Sequence, residues 1–107
     1  MVAPSRSAAY QRQYRHTDAY RAYRRAYARL QKHKTIAFLG GRCECCGETQ
    51  IEFLEIDHVD GGGSIHRRGV TPYKYWADIR AGLHRCRVLC ANCHAAVSNY
   101  GHCPHAV

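Results

Sequence analysis

The chain has 107 residues and a formal net charge of +8, with sixteen Lys and Arg against eight Asp and Glu. This length predicts one domain with at most a small appended element, and a core so modest that a bound metal often has to supplement it. No stretch approaches the roughly 18 apolar residues of a membrane span, and the first residues lack the apolar segment of a secretion signal, so we expect no membrane association. The charge excess predicts a polyanionic partner, most simply nucleic acid, although basicity can also serve solubility alone.

Residues 1–40 are predicted to form a basic helical extension. Between Ser7 and Lys34 the chain has no Gly or Pro and is rich in Tyr, Arg, Ala and Gln, which favours helix. Thr17 or Asp18 can cap a new helix, so we expect a helical pair. In the second helix a Tyr/Leu stripe and an Arg stripe fall on different faces, and we expect the first to pack on the rest of the chain and the second to contact phosphate. The stripes are Tyr20, Tyr23, Tyr27 and Leu30, and Arg21, Arg24, Arg25 and Arg29.

Residues 41–107 are predicted to form a small α+β domain. Its elements, in chain order, are a strand over Ile51–Ile56, a glycine loop over Gly61–Ser64, a helix over Tyr73–Ala81 begun by Pro72, a strand over Arg85–Leu89, and a helix over Ala91–Asn99 that ends near Gly101.

Two C-x-x-C pairs predict a structural zinc site in this domain. Cys43/Cys46 and Cys90/Cys93 supply the four soft ligands that a tetrahedral zinc prefers. Gly47 follows the first pair, where such a turn often needs a positive φ. The odd total of seven cysteines and the C-x-x-C spacing favour metal ligands in a reducing, cytoplasmic compartment over a disulfide framework.

The remaining cysteines have other predicted places. Cys45 lies inside the first pair, where Cys43/Cys46 has the better zinc spacing. Cys86 alternates with the apolar residues of its strand and is predicted to lie in the core. Cys103 and His105, with His102 nearby, suggest a second zinc site, but too few ligands for it are evident in the sequence.

Asp57 and His58 end a predicted strand and run directly into glycines, which suggests a hydrolytic site. A carboxylate binds a hard divalent cation, and a neutral imidazole is a good base near pH 7. Adjacent strand residues point to opposite faces, so the two side chains serve one site only if the strand bends at its end. His94 directly follows Cys93, so the zinc would fix where His94 begins the last helix.

The stretch Cys43–His94 resembles the HNH, or ββα-metal (His-Me finger), endonucleases, especially small bacteriophage-encoded ones. Their pattern runs CxxCG, a strand ending in Asp-His, a glycine-containing loop, and LCxxCH or LCxxCN; residues 43–47, 54–63 and 88–94 follow it, and residues 66–68 and 101–105 also resemble the phage type. The resemblance implies a zinc-stabilised ββα-metal domain that cuts DNA with one divalent ion such as Mg²⁺ or Mn²⁺.

The resemblance also implies roles for single residues. His58 would be the general base, and Asp57 and His94 would bind the catalytic ion. Many family members carry an Asn at the position of Arg85, where it braces the loop that bears the base, and Asn92, close to the site in sequence, is a candidate for that role. Nucleic-acid contacts are expected from the basic loop and from the helical extension, namely His66, Arg67, Arg68, Arg21, Arg24, Arg25 and Arg85.

The leading hypothesis is therefore a nicking or low-specificity DNA endonuclease, active as a monomer or homodimer. The alternatives are a non-catalytic zinc module that binds nucleic acid, a branched-DNA endonuclease, and a cysteine-nucleophile or redox protein using Cys45 or Cys86. Val97, where many family members have Lys, resembles the recombination endonuclease VII branch, which cuts branched DNA. By analogy with small phage HNH proteins, we expect a phage terminase as a partner and the host cytoplasm as the location.

Overall fold

The computed structural model describes residues 7–105. Residues 1–6, where the sequence predicts no secretion signal, and residues 106–107 lie outside the described part. The described chain is α+β, with five α-helices and one two-stranded antiparallel sheet. In chain order the elements are α1 (Ala8–Arg15), α2 (Asp18–Phe38), a 3-10 turn (Ile51–Phe53), β1 (Leu54–His58), α3 (Gly63–Gly69), α4 (Pro72–Arg80), β2 (Cys86–Cys90) and α5 (Ala91–Tyr100). The chain divides between Leu30 and Gln31 into two compact units.

The first unit holds α1 and the first part of α2, and the predicted helical pair is confirmed. The Ser7 side chain caps α1 by accepting a hydrogen bond from Tyr10 N. The hydroxyl of Thr17 accepts from Tyr20 N at 3.2 Å, so a capping side chain separates the two helices as expected. The predicted Tyr/Leu stripe is not a buried face, because Tyr23 and Leu30 are 64% and 52% exposed.

The second unit is built on the sheet. β1 and β2 pair antiparallel with Leu54 opposite Cys90 and His58 opposite Cys86. α5 follows β2 directly and packs on both strands. Around them lies the main core, which also takes in Ile36 from the end of α2. A smaller core on α4 is formed by Tyr75, Trp76 and Ile79.

The helix ends of the second unit follow their predicted signals. Thr71 caps α4 by accepting from Lys74 N, and Pro72 occupies the first turn as expected. α5 ends at Gly101, whose φ of 80° is the left-handed conformation of a helix stop. Among residues 7–105 no helix has both the length and the apolar character to cross a bilayer.

Two elements differ from the sequence prediction. Ile51–Phe53 form a 3-10 turn instead of the start of a strand, and β1 begins at Leu54 and continues through His58. The predicted loop at Gly61–Ser64 runs only to Gly62, because α3 begins at Gly63 and places residues 66–68 on a helix. Three consecutive glycines have low helix propensity, so the sequence of this segment predicts a loop and gives no signal for the short helix.

Candidate active site and metal centre

The four cysteines of the two C-x-x-C pairs lie together. The sulfurs of Cys43, Cys46, Cys90 and Cys93 are all within 4.8 Å of one another. Cys46 Sγ and Cys90 Sγ are 3.6 Å apart, and sulfurs bound at about 2.3 Å to one tetrahedral ion lie about 3.8 Å apart. The four thiols are therefore positioned to hold a metal ion.

Local backbone structure prepares this group for a metal. Cys46 N donates to Cys43 Sγ, and Cys93 N donates to Cys90 Sγ, each at 3.4 Å. Gly47 has a φ of 83°, as its position after the first pair predicts. Burial opposes ionisation of the Cys43 thiol, but backbone hydrogen bonds from Cys46, Cys90 and Cys45 outweigh it and lower its pKa to about 6. A thiolate, the form that binds metal, is thus available at neutral pH.

On the α5 side of the sheet, Asp57 and His94 lie close together. Asp57 Oδ1 is 3.5 Å from His94 Nε2, while Asp57 Oδ2 accepts from Arg87 Nε at 2.9 Å. His94 Nδ1 lies 2.5 Å from Glu55 Oε2. A carboxylate can only accept, so His94 Nδ1 carries the hydrogen and its Nε2 faces Asp57 with a free lone pair when the ring is neutral. The structure therefore brings together two of the predicted metal-binding side chains.

His58 points to the other face of β1. Its Nε2 lies 3.0 Å from His66 Nδ1, and His66 Nε2 lies 3.1 Å from the Asp78 carboxylate. His84 packs against both imidazoles. The centroid of its ring lies 3.8 Å from the ring centroid of His66 and 5.5 Å from the ring centroid of His58. Among residues 7–105 no hydrogen bond or ion pair joins His58 to Asp57 or His94, so the predicted base and the predicted metal ligands do not touch.

The hydrogen-bond chain fixes which nitrogen of His58 is free. Asp78 accepts from His66 Nε2, so when the His66 ring is neutral its Nδ1 accepts from His58 Nε2. The unprotonated nitrogen of His58 is then Nδ1, which faces Gly63. A Cβ at Gly63 would lie 2.8 Å from that nitrogen, so only glycine leaves the space beside it open.

Electrostatics keep this chain in the stated protonation state. A hydrogen bond from Lys74 Nζ, assisted by His66, outweighs burial and holds the pKa of Asp78 below its usual value. Burial, and then the neighbouring imidazoles of His66 and His84, lower the pKa of His58 below its usual value. His58 is therefore neutral at pH 7, as a base must be. The same three histidines are also close enough to share a metal ion, since their ligand nitrogens lie within 4.8 Å of one another.

The residues that are expected to contact nucleic acid differ in their exposure to solvent. His66 is 7% exposed and hydrogen-bonded on both sides, so its place in the interior differs from the exposed cationic loop that the sequence predicts. Arg67 and Arg68 are exposed on α3, and Arg67 also lies over the Tyr75 ring. The exposed arginines of α2 are Arg21, which pairs with Asp18, Arg24, which lies over the Tyr20 ring, Arg25 and Arg29.

Arg85 and Val97 differ from the HNH pattern that the sequence resembles, and Asn92 is the candidate for the bracing role. The structure shows the local contacts at these three positions. Arg85 is exposed and pairs with Asp60 at 3.2 Å, and its backbone oxygen accepts from Val59 N, which ties the loop after β1 to the start of β2. Val97 packs against the main core. Asn92 is exposed on the first turn of α5 and makes no side-chain hydrogen bond within residues 7–105, so no contact there assigns it the bracing role.

Sequence reasoning missed several residues at the site. Glu55 stands two residues before Asp57, and strand periodicity alone places both on one face. Arg87 is directly opposite Asp57 in the sheet, which needs the register to be known. Asp78 and His84 are distant in sequence from His58, so no local signal points to them.

Comparisons of the whole chain with protein-family models, with curated proteins and with solved structures find no match.

Proposed function

We propose that this protein is a metal-dependent DNA endonuclease of the HNH, or ββα-metal, type. The observation that carries the proposal is the approach of Asp57 Oδ1 to within 3.5 Å of His94 Nε2. Ligand atoms bound at about 2.1 Å in neighbouring positions of an octahedral ion lie about 3 Å apart, so a small movement suits both to one divalent ion. The chain order of β1, β2 and α5 agrees with the strand–strand–helix unit of this fold type.

Two kinds of metal site belong to the proposal. We assign zinc to Cys43, Cys46, Cys90 and Cys93, because four thiolates in a tetrahedral arrangement suit zinc. Asp57 and His94 would hold Mg²⁺ or Mn²⁺. When bound there, such an ion supplies positive charge to the phosphate group and the leaving oxygen during hydrolysis.

The protein's own side chains prepare the base. Asp78 holds His66 in one tautomer, and His66 in turn fixes the Nε2 hydrogen of His58. His58 Nδ1 is left to accept a proton from the attacking water. β1 ends at His58, so a phosphate at the end of the strand can lie between this nitrogen and the Asp57–His94 pair on the other face.

Positively charged residues on α3 suit a DNA backbone. Arg67 and Arg68 are exposed, and they lie on the helix that carries His66. The net charge of +8 supports a polyanionic substrate. Base-reading side chains are not evident, so contacts to phosphate and to DNA shape are the expected mode, with little sequence specificity.

One observation favours a second candidate, a zinc module that binds nucleic acid without cutting it. His58 is engaged with His66 on the face opposite the Asp57–His94 pair, so the two halves of the catalytic set are not in contact. The module would share the charge and the zinc but would have no use for a neutral, buried His58.

Cleavage of supercoiled plasmid separates the two candidates. The zinc-loaded protein is incubated with plasmid and Mg²⁺ or Mn²⁺, beside reactions with excess EDTA and with His58→Ala. We expect nicked product that disappears in both controls, because one site per chain cuts one strand. A folded His58→Ala protein that nicks as fast as the parent contradicts the assignment of the base, and a parent that shifts DNA in a gel but never cuts it supports the binding module.

A branched substrate tests the remaining alternative. Val97 resembles the branch of the family that cuts branched DNA. A four-way junction and a linear duplex of equal length are compared at equal protein concentration. Faster cleavage of the junction supports that specificity, and equal rates support a general nicking enzyme.

A further inference from the structure

The feature that the nuclease proposal leaves unused is a second group of metal-binding side chains. Cys45, Cys93, Cys103 and His105 each offer one ligand atom, and these atoms lie within 4.8 Å of one another. The sequence alone suggests Cys103 and His105, with His102 nearby. The fold adds Cys45 from the first C-x-x-C turn and Cys93 from the first turn of α5.

We propose that the chain binds a second zinc ion through Cys45, Cys93, Cys103 and His105, and that the thiolate of Cys93 bridges the two ions. Cys93 belongs to both groups, and its side chain is 0% exposed. Two tetrahedral ions need eight coordination positions, and the two groups together offer seven side chains. One shared sulfur makes the count complete, because a thiolate has lone pairs for two ions.

The measured distances fit a tetrahedral ion. His105 Nδ1 is 3.3 Å from Cys103 Sγ and 3.4 Å from Cys93 Sγ. A sulfur at about 2.3 Å and an imidazole nitrogen at about 2.05 Å from one tetrahedral zinc lie about 3.5 Å apart. The distance from His105 to Cys103 lies within one short segment, but the distance to Cys93 joins that segment to the first turn of α5.

The surroundings suit the proposed pair of ions. Six thiolates and two Zn²⁺ ions carry a formal charge of −2. A surface cavity of about 330 Å³ is lined by Cys45 and Cys103 of the second group and by the charged residues Arg87 and Glu44. That cavity gives an ion a route to the second group. Each thiol that binds releases its proton to solvent.

The second ion also has a structural task. α5 ends at Gly101, and the following residues carry Cys103, which is only 4% exposed, and His105. An ion that joins this segment to Cys45 would close a long loop and hold α5, with His94, against the first C-x-x-C turn.

Metal content of the intact protein tests the inference. Native mass spectrometry and elemental analysis of the full chain, purified without chelator, are expected to give two zinc ions per chain. Cys103→Ser should retain one. Cys86→Ser is the matched control, because Cys86 is the one cysteine outside both groups, and it should retain two. One zinc in the parent, or two in Cys103→Ser, overturns the proposal.

Two further readouts cover a variant that fails to fold. If Cys103→Ser loses all zinc, the stoichiometry of the parent decides. Cobalt substitution adds a spectroscopic signature: His105→Ala should alter the visible bands of one of two bound Co²⁺ ions, and unchanged bands count against His105 as a ligand. Thiol titration of the unfolded parent should find all seven cysteines reduced, and a lower count would show a disulfide in place of the ion.

The inference does not depend on DNA cleavage. One zinc in an active nuclease removes the second site and leaves the proposed function standing. Two zinc ions in a protein that never cuts DNA support the second site and contradict the proposed function.

Discussion

Glu55→Gln is the most informative single substitution at the proposed catalytic ion. The Glu55 carboxylate accepts the Nδ1 hydrogen of His94 and so turns Nε2 towards Asp57. Glutamine keeps the length and the shape of the side chain but removes the negative charge. The amide can still accept a weaker hydrogen bond, so the ring loses basicity and part of its orientation, and the site should bind the divalent ion less tightly.

The expected size follows from the exposure of the pair. Loss of a carboxylate behind a metal-binding histidine typically costs about 10- to 100-fold in metal affinity, or about 1.4 to 2.7 kcal/mol. The Glu55 and His94 side chains are 42% and 29% exposed, so solvent screens the interaction. We therefore expect a loss near the lower end, about 10-fold.

The assay is calorimetric titration of the zinc-loaded protein with Mn²⁺, followed by the Mn²⁺ dependence of plasmid nicking. Glu52→Gln makes the same charge change at an exposed position outside the site and serves as the control. The reasoning is refuted if Glu55→Gln binds Mn²⁺ within twofold of both the parent and Glu52→Gln.

Three further predictions follow from the described geometry. Gly63→Ala should lower the free energy of unfolding by about 1–3 kcal/mol in thermal denaturation and abolish nicking, because the added Cβ meets His58 Nδ1 at 2.8 Å. The control is Gly69→Ala in the same helix, where an added Cβ has nothing within 4 Å. This variant should keep the nicking rate of the parent, with unchanged or slightly higher stability. A depressed pKa of His58 means that the base remains neutral below its ordinary pKa of about 6.5, so the rise of nicking rate with pH should lie below 6.5, and a rise centred above 7 would contradict it. Removal of zinc by a chelator should unfold the second unit, seen as a change in Trp76 fluorescence, whereas a native spectrum without zinc would show that the cysteine cluster is not needed for folding.

The sequence could predict the parts that depend on local signals. The helical pair, the start of α4 at Pro72, the end of α5 at Gly101, and the C-x-x-C turns follow from residues within a few positions of one another. The grouping of the two cysteine pairs was predictable because tetrahedral coordination brings distant ligands together. His94 beside Asp57 was predictable only through the family resemblance, because no local spacing relates the two.

The parts that sequence reasoning missed depend on tertiary structure. The resemblance places His66 with Arg67 and Arg68 in a cationic loop, yet the fold buries it between His58 and Asp78. Asp78 lies on α4, and no sequence periodicity relates a residue of one helix to an imidazole at a strand end. Cys45 was set aside because a better-spaced neighbour was present, and only the fold places it beside Cys103.

The side chain of His58 lies on the face of β1 opposite the side chain of Asp57, and this orientation affects the proposed mechanism. Strand alternation raised the possibility that Asp57 and His58 face apart, and the structure has them on opposite faces. The proposed catalysis then requires the phosphate to lie at the end of β1, between the two faces. Gly63 then keeps the approach to His58 Nδ1 open, because a Cβ there would lie 2.8 Å from that nitrogen.

The most direct test of the central proposal is the initial nicking rate of the zinc-loaded parent in Mn²⁺ beside that of Asp57→Asn with equal zinc content. We expect nicking by the parent and a loss of at least about 100-fold in the variant, because the amide is a far poorer ligand for a hard cation. Equal rates in the two proteins, or a folded parent that never nicks DNA at any divalent-ion concentration, would contradict it.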